Sequence, residues 1–315
     1  MSFKVSRFQG FKVAGLMIAA CWGVTVSGAE QRAPSTLPGG RSYKLIWSDE
    51  FDGNRLDESK WSYRTNFWGK RACWFAAPED GAVTVSDGCA HLRIVKRADG
   101  SYCSPQLQTG ALVWDDIDFR PAQGVSWPFP KRQPPKFMHK FGYYECRAKL
   151  QGKAGWWSAF WMQSPDQGAT IDPKRSGIEA DIMESFDPGR YIVHAFHYNG
   201  YGADYKRFNA QRAPYTPAPD SAWKVNFPIS LDDFHTFGLL WEPDGYTVFV
   251  DGKQSGHKVG QVGDEAVSWT EQFILVTTEL KGFRKNGKPD PEVIEACAAG
   301  DEFTVDYVRV YDIEK

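Results

Sequence analysis

The feature that most restricts this chain is a period of two. From residue 42 onward, apolar and polar side chains alternate in short runs, and no window of twelve or more residues carries a sustained helical stripe. In Phe141 to Leu150, Tyr144, Cys146, Ala148 and Leu150 share one face, with Glu145, Arg147 and Lys149 on the other. Ala82-Val83-Thr84-Val85 and Leu92-Arg93-Ile94-Val95 flank Ser86-Asp87-Gly88, which predicts a hairpin. His235 to Trp241 passes through Pro243-Asp244-Gly245 into Tyr246 to Val250, then Asp251-Gly252, giving two strands with turn residues at each end. Phe273 to Thr277 and Phe303 to Tyr311 complete the series. The 30 Gly and 19 Pro of the 315 residues exclude an all-α protein. Strands separated by turns, with no linker, repeat or low-complexity tract, predict one β-sandwich or jelly roll.

Within that frame one segment stands out, Gly177-Ile178-Glu179-Ala180-Asp181-Ile182-Met183-Glu184-Ser185. Glu179 and Asp181 are two apart and point to the same face of a strand. Glu184 is three beyond Asp181 and would point the other way in a regular strand. One extra residue, taken up as a β-bulge at Ile182-Met183, returns it to the face of the other two. Ala180 and an apolar residue of the bulge then face the core. Gathering carboxylates in a low dielectric raises the pKa of at least one of them. A structural strand gains nothing from that, whereas a retaining glycosidase needs one carboxylate as nucleophile and a second, protonated, as general acid. The two must stand about 5–5.5 Å apart. Four regular strand steps separate the Cα atoms by about 13 Å, a gap that two Glu side chains leaning inward largely close.

Glu179-Ala180-Asp181-Ile182-Met183-Glu184 resembles the bulged E-x-D-x-x-E signature of glycoside hydrolase family 16, which includes laminarinases, agarases, carrageenases and porphyranases. Four further segments resemble that family in order: Trp47 to Gly53 its opening strand, Trp157-Ser158-Ala159-Phe160-Trp161-Met162 its W-P-A-F-W-M strand, Phe234 to Trp241 with Val250 to Lys253 its central hairpin, and Val305 to Tyr311 its closing strand. The resemblance implies an all-β jelly roll, a sandwich of two curved antiparallel sheets with a concave substrate cleft. It implies Glu179 as nucleophile, Glu184 as acid/base and Asp181 as the assisting carboxylate. It also implies Trp157 and Trp161 as the aromatic floor of the cleft, while Trp156, at a less diagnostic position, suits core packing and the cleft equally. His197 is expected to face the cleft and His194, three residues earlier, to face away. Glu279 resembles an acidic substrate contact of galactan-cleaving branches. Glu50 and Asp306 match positions at which many members hold a structural calcium, an ion suited to oxygen ligands. No cofactor is expected for catalysis.

The match departs from laminarinases in Pro173-Lys174-Arg175-Ser176-Gly177, where those enzymes carry a Trp, and in Ala180, where they carry Ile. Basic clusters at Lys131-Arg132, Lys136 and Lys140, at Lys174-Arg175, and at Arg284-Lys285 and Lys288 would suit sulfate esters if they rimmed the cleft. The ordinary reading is solvated loops. The implied activity is endo-acting, retaining hydrolysis of a β-1,3- or β-1,3/1,4-glucan. Algal galactans such as agar, porphyran or carrageenan are the alternative substrates. A glycan-binding, lectin-like jelly roll is the alternative of another class, and a transglycosylase would use the same chemistry with a sugar acceptor.

The N-terminus reads as an address. Lys4, Arg7 and Lys12 precede an apolar run, Val13 to Val26, and Ser27-Gly28-Ala29 forms a small-residue cleavage site. A signal peptide is therefore expected over 1–29, a leader over 30–41 and the catalytic domain over 42–315. Secretion or periplasmic export follows. Ile18-Ala19-Ala20-Cys21 resembles a lipoprotein box, with lipid anchoring through Cys21 as the alternative, although the residues after it stay apolar. The run is short for a membrane span, so no transmembrane segment is expected after signal removal. Export would put Cys73, Cys89, Cys103, Cys146 and Cys297 in an oxidising compartment, an odd number that leaves at least one without an intrachain partner. The first three are close enough in sequence for one local disulfide, and no zinc-type spacing occurs. A net charge of −2 excludes a uniformly basic nucleic-acid binder. The expected partner is a polysaccharide, met by a monomer. The 13 Trp, 13 Tyr and 21 Phe fit both a β core and a surface that stacks sugar rings.

Overall fold

The computed structural model describes residues 32–64, 75–110, 112–118, 129–132, 134–153, 155–187, 191–201, 205–209, 230–256, 258–260, 267–280, 295, 298 and 300–314. The chain divides into two compact units: Met1–Pro34, of which only 32–34 are described, and Ser35–Lys315, which holds every element below. The expected signal peptide, Cys21, Cys73 and Cys297 lie outside the described residues, as do Arg284, Lys285 and Lys288.

The strands are β1 Ser42–Asp49, β2 Ser62–Tyr63, β3 Val83–Ser86, β4 Cys89–Leu92 and β5 Val95–Lys96. There follow β6 Tyr102–Cys103, β7 Gln106–Gln108, β8 Leu112–Asp118, β9 Phe129–Arg132 and β10 Gly142–Lys149. Next come β11 Trp156–Gln163, β12 Glu179–Asp187, β13 Tyr191–Tyr198 and β14 Lys206–Asn209. The last are β15 His235–Glu242, β16 Gly245–Val250, β17 Lys253–Gln254, β18 Phe273–Leu280 and β19 Phe303–Glu314. One sheet has the order β17-β16-β15-β10-β19-β4-β3, with β1 also on β19. The second has the order β14-β13-β12-β11-β18-β7-β2. Neighbours in both run antiparallel, and non-sequential strands meet at the centre of each, as in a jelly roll. Among the described residues no helix is long and apolar enough to cross a membrane.

The alternation read from the sequence decides what lies between the sheets. Tyr144, Cys146, Ala148 and Leu150 enter the main core with Phe237, Leu239, Trp241, Val308 and Val310 of the same sheet. Facing them, the second sheet supplies Trp156, Phe160, Met162, Ala180, Ile182, Met183, Phe196, Ile274 and Val276. Each large apolar side chain taken fully from water stabilises the sandwich by about 1.5–3 kcal/mol. Trp47 packs against this core and Trp241 is inside it. The first hairpin is tighter than expected. Ser86 pairs with Cys89 across Asp87 and Gly88, both at positive φ, so β4 occupies Cys89–Leu92 instead of Leu92–Val95. That is the two-residue turn whose twist matches the flanking strands. Cys103 and Cys146 are buried thiols, and burial pushes Cys103 up to about 11.

Candidate active site

The acid strand begins abruptly. Asp172 caps a single helical turn, Pro173–Ser176, by accepting from the Lys174 N–H at 3.1 Å. Gly177 follows at φ +71°, where a Cβ would lie 2.3 Å from that of Ser164. No other residue fits that approach, and it turns the chain directly into β12. Lys174 and Arg175 stay exposed on the turn.

Both neighbouring strands record the bulge. Against β13, Asp181 pairs with Ala195 and Glu184 with Val193, three steps against two. Against β11, Phe160 pairs with Met183 and Trp161 with Asp181, one step against two. The extra residue sits where the spacing of the acids requires it. Ala180, Ile182 and Met183 all enter the core. Glu179, Asp181 and Glu184 share the opposite face with 8%, 4% and 6% exposure, so three carboxylates are held nearly out of water.

Period two on β11 places Trp157, Trp161 and Gln163 on the acid face, while Trp156, Phe160 and Met162 enter the core. The Trp157 indole N–H donates to Glu184 Oε1 at 2.9 Å. Gln163 Nε2 donates to Glu179 Oε2 at 3.3 Å and to Gln167 Oε1 at 2.9 Å. Trp161 donates to Thr277 Oγ1 at 3.0 Å, and the Arg64 guanidinium carbon lies 5.2 Å from the centre of its ring. His197 Nε2 is 3.0 Å from Asp181 Oδ2, and its Nδ1 is 2.6 Å from the Tyr205 hydroxyl. Polar atoms of Glu179, Asp181 and His197 lie within 4.8 Å of one another. Glu279 pairs with Trp157 in the ladder and accepts from Gln106 Nε2 at 2.7 Å.

The electrostatics separate the acids. Burial raises the Glu184 carboxyl, and the charge of Asp181 raises it further, to about 8. His197, Arg207 and the Trp157 N–H act the other way. Burial outweighs the neighbouring acids at His197 and lowers it, favouring the neutral ring. A neutral ring that donates from Nε2 to the Asp181 carboxylate accepts at Nδ1 from the Tyr205 O–H. The face thus presents a carboxyl that keeps its proton near neutrality, beside Asp181 tied to His197 and Glu179 tied to Gln163.

The structure therefore gathers Glu179, Asp181, Glu184, Trp157, Trp161, His197 and Glu279 on one sheet face. His194 lies on the other face of β13, in the core, as its spacing predicts. Glu50 and Asp306 are elsewhere, Glu50 just past the end of β1 and Asp306 on β19 of the sheet opposite the acids. The Glu50 carboxylate receives the Arg309 guanidinium through both oxygens, at 2.9 and 2.7 Å, and Asp306 is paired with Arg147. A calcium ion would have to displace both guanidinium groups, so this donor set does not fit the ion. Gln163, Tyr205 and Arg207 were not singled out by the sequence reading. Gln163 follows from period two after Trp157 and Trp161. Arg207 pairs with His197 across a connection of which 202–204 lie outside the described residues, and Arg64 directly follows a two-residue strand, so neither carried a signal.

A two-sheet β-sandwich with paired carboxylates set on one strand by a bulge holds the kind of acid pair that glycosidases use. Comparison with known proteins agrees. The model of the family "Glycosyl hydrolases family 16" matches residues 131–261. The chain is 26% identical over 298 residues to glucan endo-1,3-beta-glucosidase A1 of Niallia circulans, covering 88% of this chain and 39% of that protein. It is 25% identical over 274 residues to keratan-sulfate endo-1,4-beta-galactosidase of Sphingobacterium multivorum, covering 86% and 56%. It thus spans about two fifths and somewhat over half the length of these relatives. The solved structure of SCLam, a non-specific endo-beta-1,3(4)-glucanase, superimposes with a TM-score of 0.57 at 25% identity, over 88% of this chain and 95% of that one. The likeness to family 16 of the glycosyl hydrolases thus covers residues 131–261 directly and most of the chain through relatives about one quarter identical.

Proposed function

We propose that this chain is a secreted, endo-acting, retaining β-glycoside hydrolase whose substrate is a β-1,3- or β-1,3/1,4-glucan. The observation that carries the reading is the bulge, which aligns Glu179, Asp181 and Glu184 on one face while burial and Asp181 hold Glu184 protonated to about pH 8. In the first step the Glu184 carboxyl gives its proton to the glycosidic oxygen as the bond from that oxygen to the anomeric carbon breaks. Glu179 forms a bond to the same carbon from the opposite side, giving a glycosyl-enzyme. Water then gives a proton to the Glu184 carboxylate and its oxygen displaces Glu179, restoring both acids. Asp181, tied to His197, keeps negative charge beside Glu184, and that charge helps keep Glu184 protonated until the reaction draws the proton away. Trp157 and Trp161 supply apolar surface for sugar C–H faces. The reaction needs no cofactor.

The glucan preference is supported by the glucanase names of two of the relatives above. A galactan is the second reading. The missing Trp before Glu179, the resemblance of Glu279 to an acidic contact of galactan-cleaving branches and the galactosidase relative favour it. Export rests on the N-terminal 29 residues, with 42–315 as the catalytic domain. Reducing-end release on laminarin, lichenan, agarose, porphyran and carrageenans tests the assignment. Laminarin and lichenan should be cleaved by the parent chain and left intact by Glu179→Ser, in which nucleophile loss costs about 10⁴-fold or more. Equal activity in that variant overturns the reading, and cleavage of a galactan alone moves it to the second. Products formed with an added oligosaccharide acceptor separate hydrolysis from transglycosylation.

A further inference from the structure

We propose that His194, on the core side of β13, is a positioning residue that pins the bulge of β12 and thereby keeps Glu184 on the face of Glu179 and Asp181. This rests on the assignment of Glu184 as acid/base. Ile182 has no cross-strand partner on either side, because the register passes over it toward both β11 and β13. Its carbonyl accepts from His194 Nδ1 at 2.5 Å. A carbonyl cannot donate, so Nδ1 carries the proton. Burial lowers the His194 pKa to about 4, so the ring is neutral at ordinary pH and Nε2 keeps its lone pair. That lone pair receives the Ser255 hydroxyl at 2.8 Å. Ser255 is anchored in turn, its N–H donating to the Val248 carbonyl of β16 at 2.8 Å. The ring therefore joins the bulge to the opposite sheet through atoms buried from solvent.

The consequence for catalysis follows from parity. A bulge survives where the displaced residue finds substitute partners. Without a donor at position 194, the Ile182 carbonyl is buried and unsatisfied, and expelling the bulge would relieve it. Expulsion returns β12 to a regular alternation, in which Glu184 turns away from Glu179. His194 touches no reacting atom, and its effect is exerted through Ile182.

The test compares His194→Ala, His194→Asn and His194→Gln on a glucan polymer and on an activated dinitrophenyl β-glycoside, with and without azide. The titration of the ¹³C-labelled Glu184 carboxyl is followed in parallel, assigned by its loss in Glu184→Gln. His194→Ala should lower polymer turnover about 100-fold, the scale of a lost general acid. The aryl glycoside with azide should fall less than about tenfold, because its leaving group needs little protonation. The Glu184 midpoint should leave its wild-type value. His194→Asn should recover most of each readout, since its amide N–H stands where Nδ1–H does, and His194→Gln should not. Ser255→Ala, which keeps the ring and removes its anchor, should move all readouts the same way by less, and serves if His194→Ala does not fold. Equal losses on both substrates that follow melting temperature overturn the proposal, as does Asn performing no better than Gln. If the parent chain cleaves neither substrate, the acid/base assignment falls and the Glu184 titration decides alone. A shifted midpoint in His194→Ala or Ser255→Ala then supports the pinning, and an unchanged one overturns it.

Discussion

Two buried glutamates, one on each sheet, show what makes a carboxyl reactive. Glu145 on β10 is fully buried and Glu184 on β12 is 6% exposed, so burial does not distinguish them. Their donors do. Glu145 accepts from the Thr36 N–H at 2.9 Å, the Thr36 hydroxyl at 2.7 Å, the Tyr307 hydroxyl at 2.7 Å and the Tyr143 hydroxyl at 3.2 Å. The phenol of Tyr143 reaches it across Gly238, where a Cβ would lie 2.0 Å from the hydroxyl. Among the described residues Glu184 receives one indole N–H and faces Asp181. The first carboxylate is solvated by protein donors in place of water and ties the N-terminal segment to the sheet. The second is left with too few donors, and keeps its proton instead. Buried charge becomes structure where donors surround it and chemistry where they are withheld.

Replacing each side chain separates the two roles. Glu184→Ala should reduce polymer hydrolysis by about 10²–10⁴-fold, the range of a general acid and base, with a smaller loss on activated aryl glycosides. A uniform loss on both substrates would count against the role. Glu145→Ala should leave kcat per folded molecule near the parent value. It should lower stability by roughly 2–5 kcal/mol, because several buried donors lose their acceptor together. Chemical denaturation read beside active-site titration tells these apart, and an Ala variant at 145 that is stable and inactive would break the comparison.

A gentler substitution reads the proton directly. Burial and the charge of Asp181 raise the Glu184 pKa in the fold from its ordinary value of 4.5 to about 8. Below about pH 4.5 both folded and unfolded chains hold the proton. As pH rises through that range to about 8, the unfolded chain releases its proton first, so this group's contribution to stability is progressively lost. Glu184→Gln cannot titrate, and its melting temperature should gain on the parent between pH 4.5 and 8 and then level off. A constant difference across that window would show that the carboxyl is not held protonated.

The sequence made this strand readable because parity alone constrains it. Glu179, Asp181 and Glu184 can share a face only through an extra residue, and a bulge is the local device that supplies one. Trp157 and Trp161, four apart on β11, follow the same arithmetic. Glu145 was legible only as a polar residue on the outward face of β10. Its burial depends on Thr36 and Tyr307, 109 and 162 residues away in sequence, and no local pattern encodes such a contact. The partners of the two acids matched to calcium positions were hidden for a similar reason. Glu50 lies just past the end of β1 and Asp306 on β19, and Arg309 and Arg147 are the partners that fill them. Asp306 sits at a second register shift, where Arg147 pairs with Tyr307 and Ala148 with Val305, and the alternation of β19 could not show it.

Two single-contact variants should shift the activity profile by less, and in opposite directions. The alkaline limb reports loss of the Glu184 proton. Asp181 is the second cause of its raised pKa, so Asp181→Asn removes a negative neighbour and should bring the limb to lower pH, with reduced kcat because the His197 contact changes too. The Trp157 N–H bonds the carboxylate and favours its ionised form. Trp157→Phe keeps an aromatic surface for a sugar ring and deletes that single donor. Glu184 then holds its proton more tightly, and the alkaline limb should rise by up to about one unit, the scale of one hydrogen bond to a charged group. Substrate affinity should change little in this variant, so kcat and KM separate under the same titration. If the limb falls or stays fixed while KM rises, Trp157 acts as a sugar platform alone, and the scarcity of donors at Glu184 is not what sets its proton.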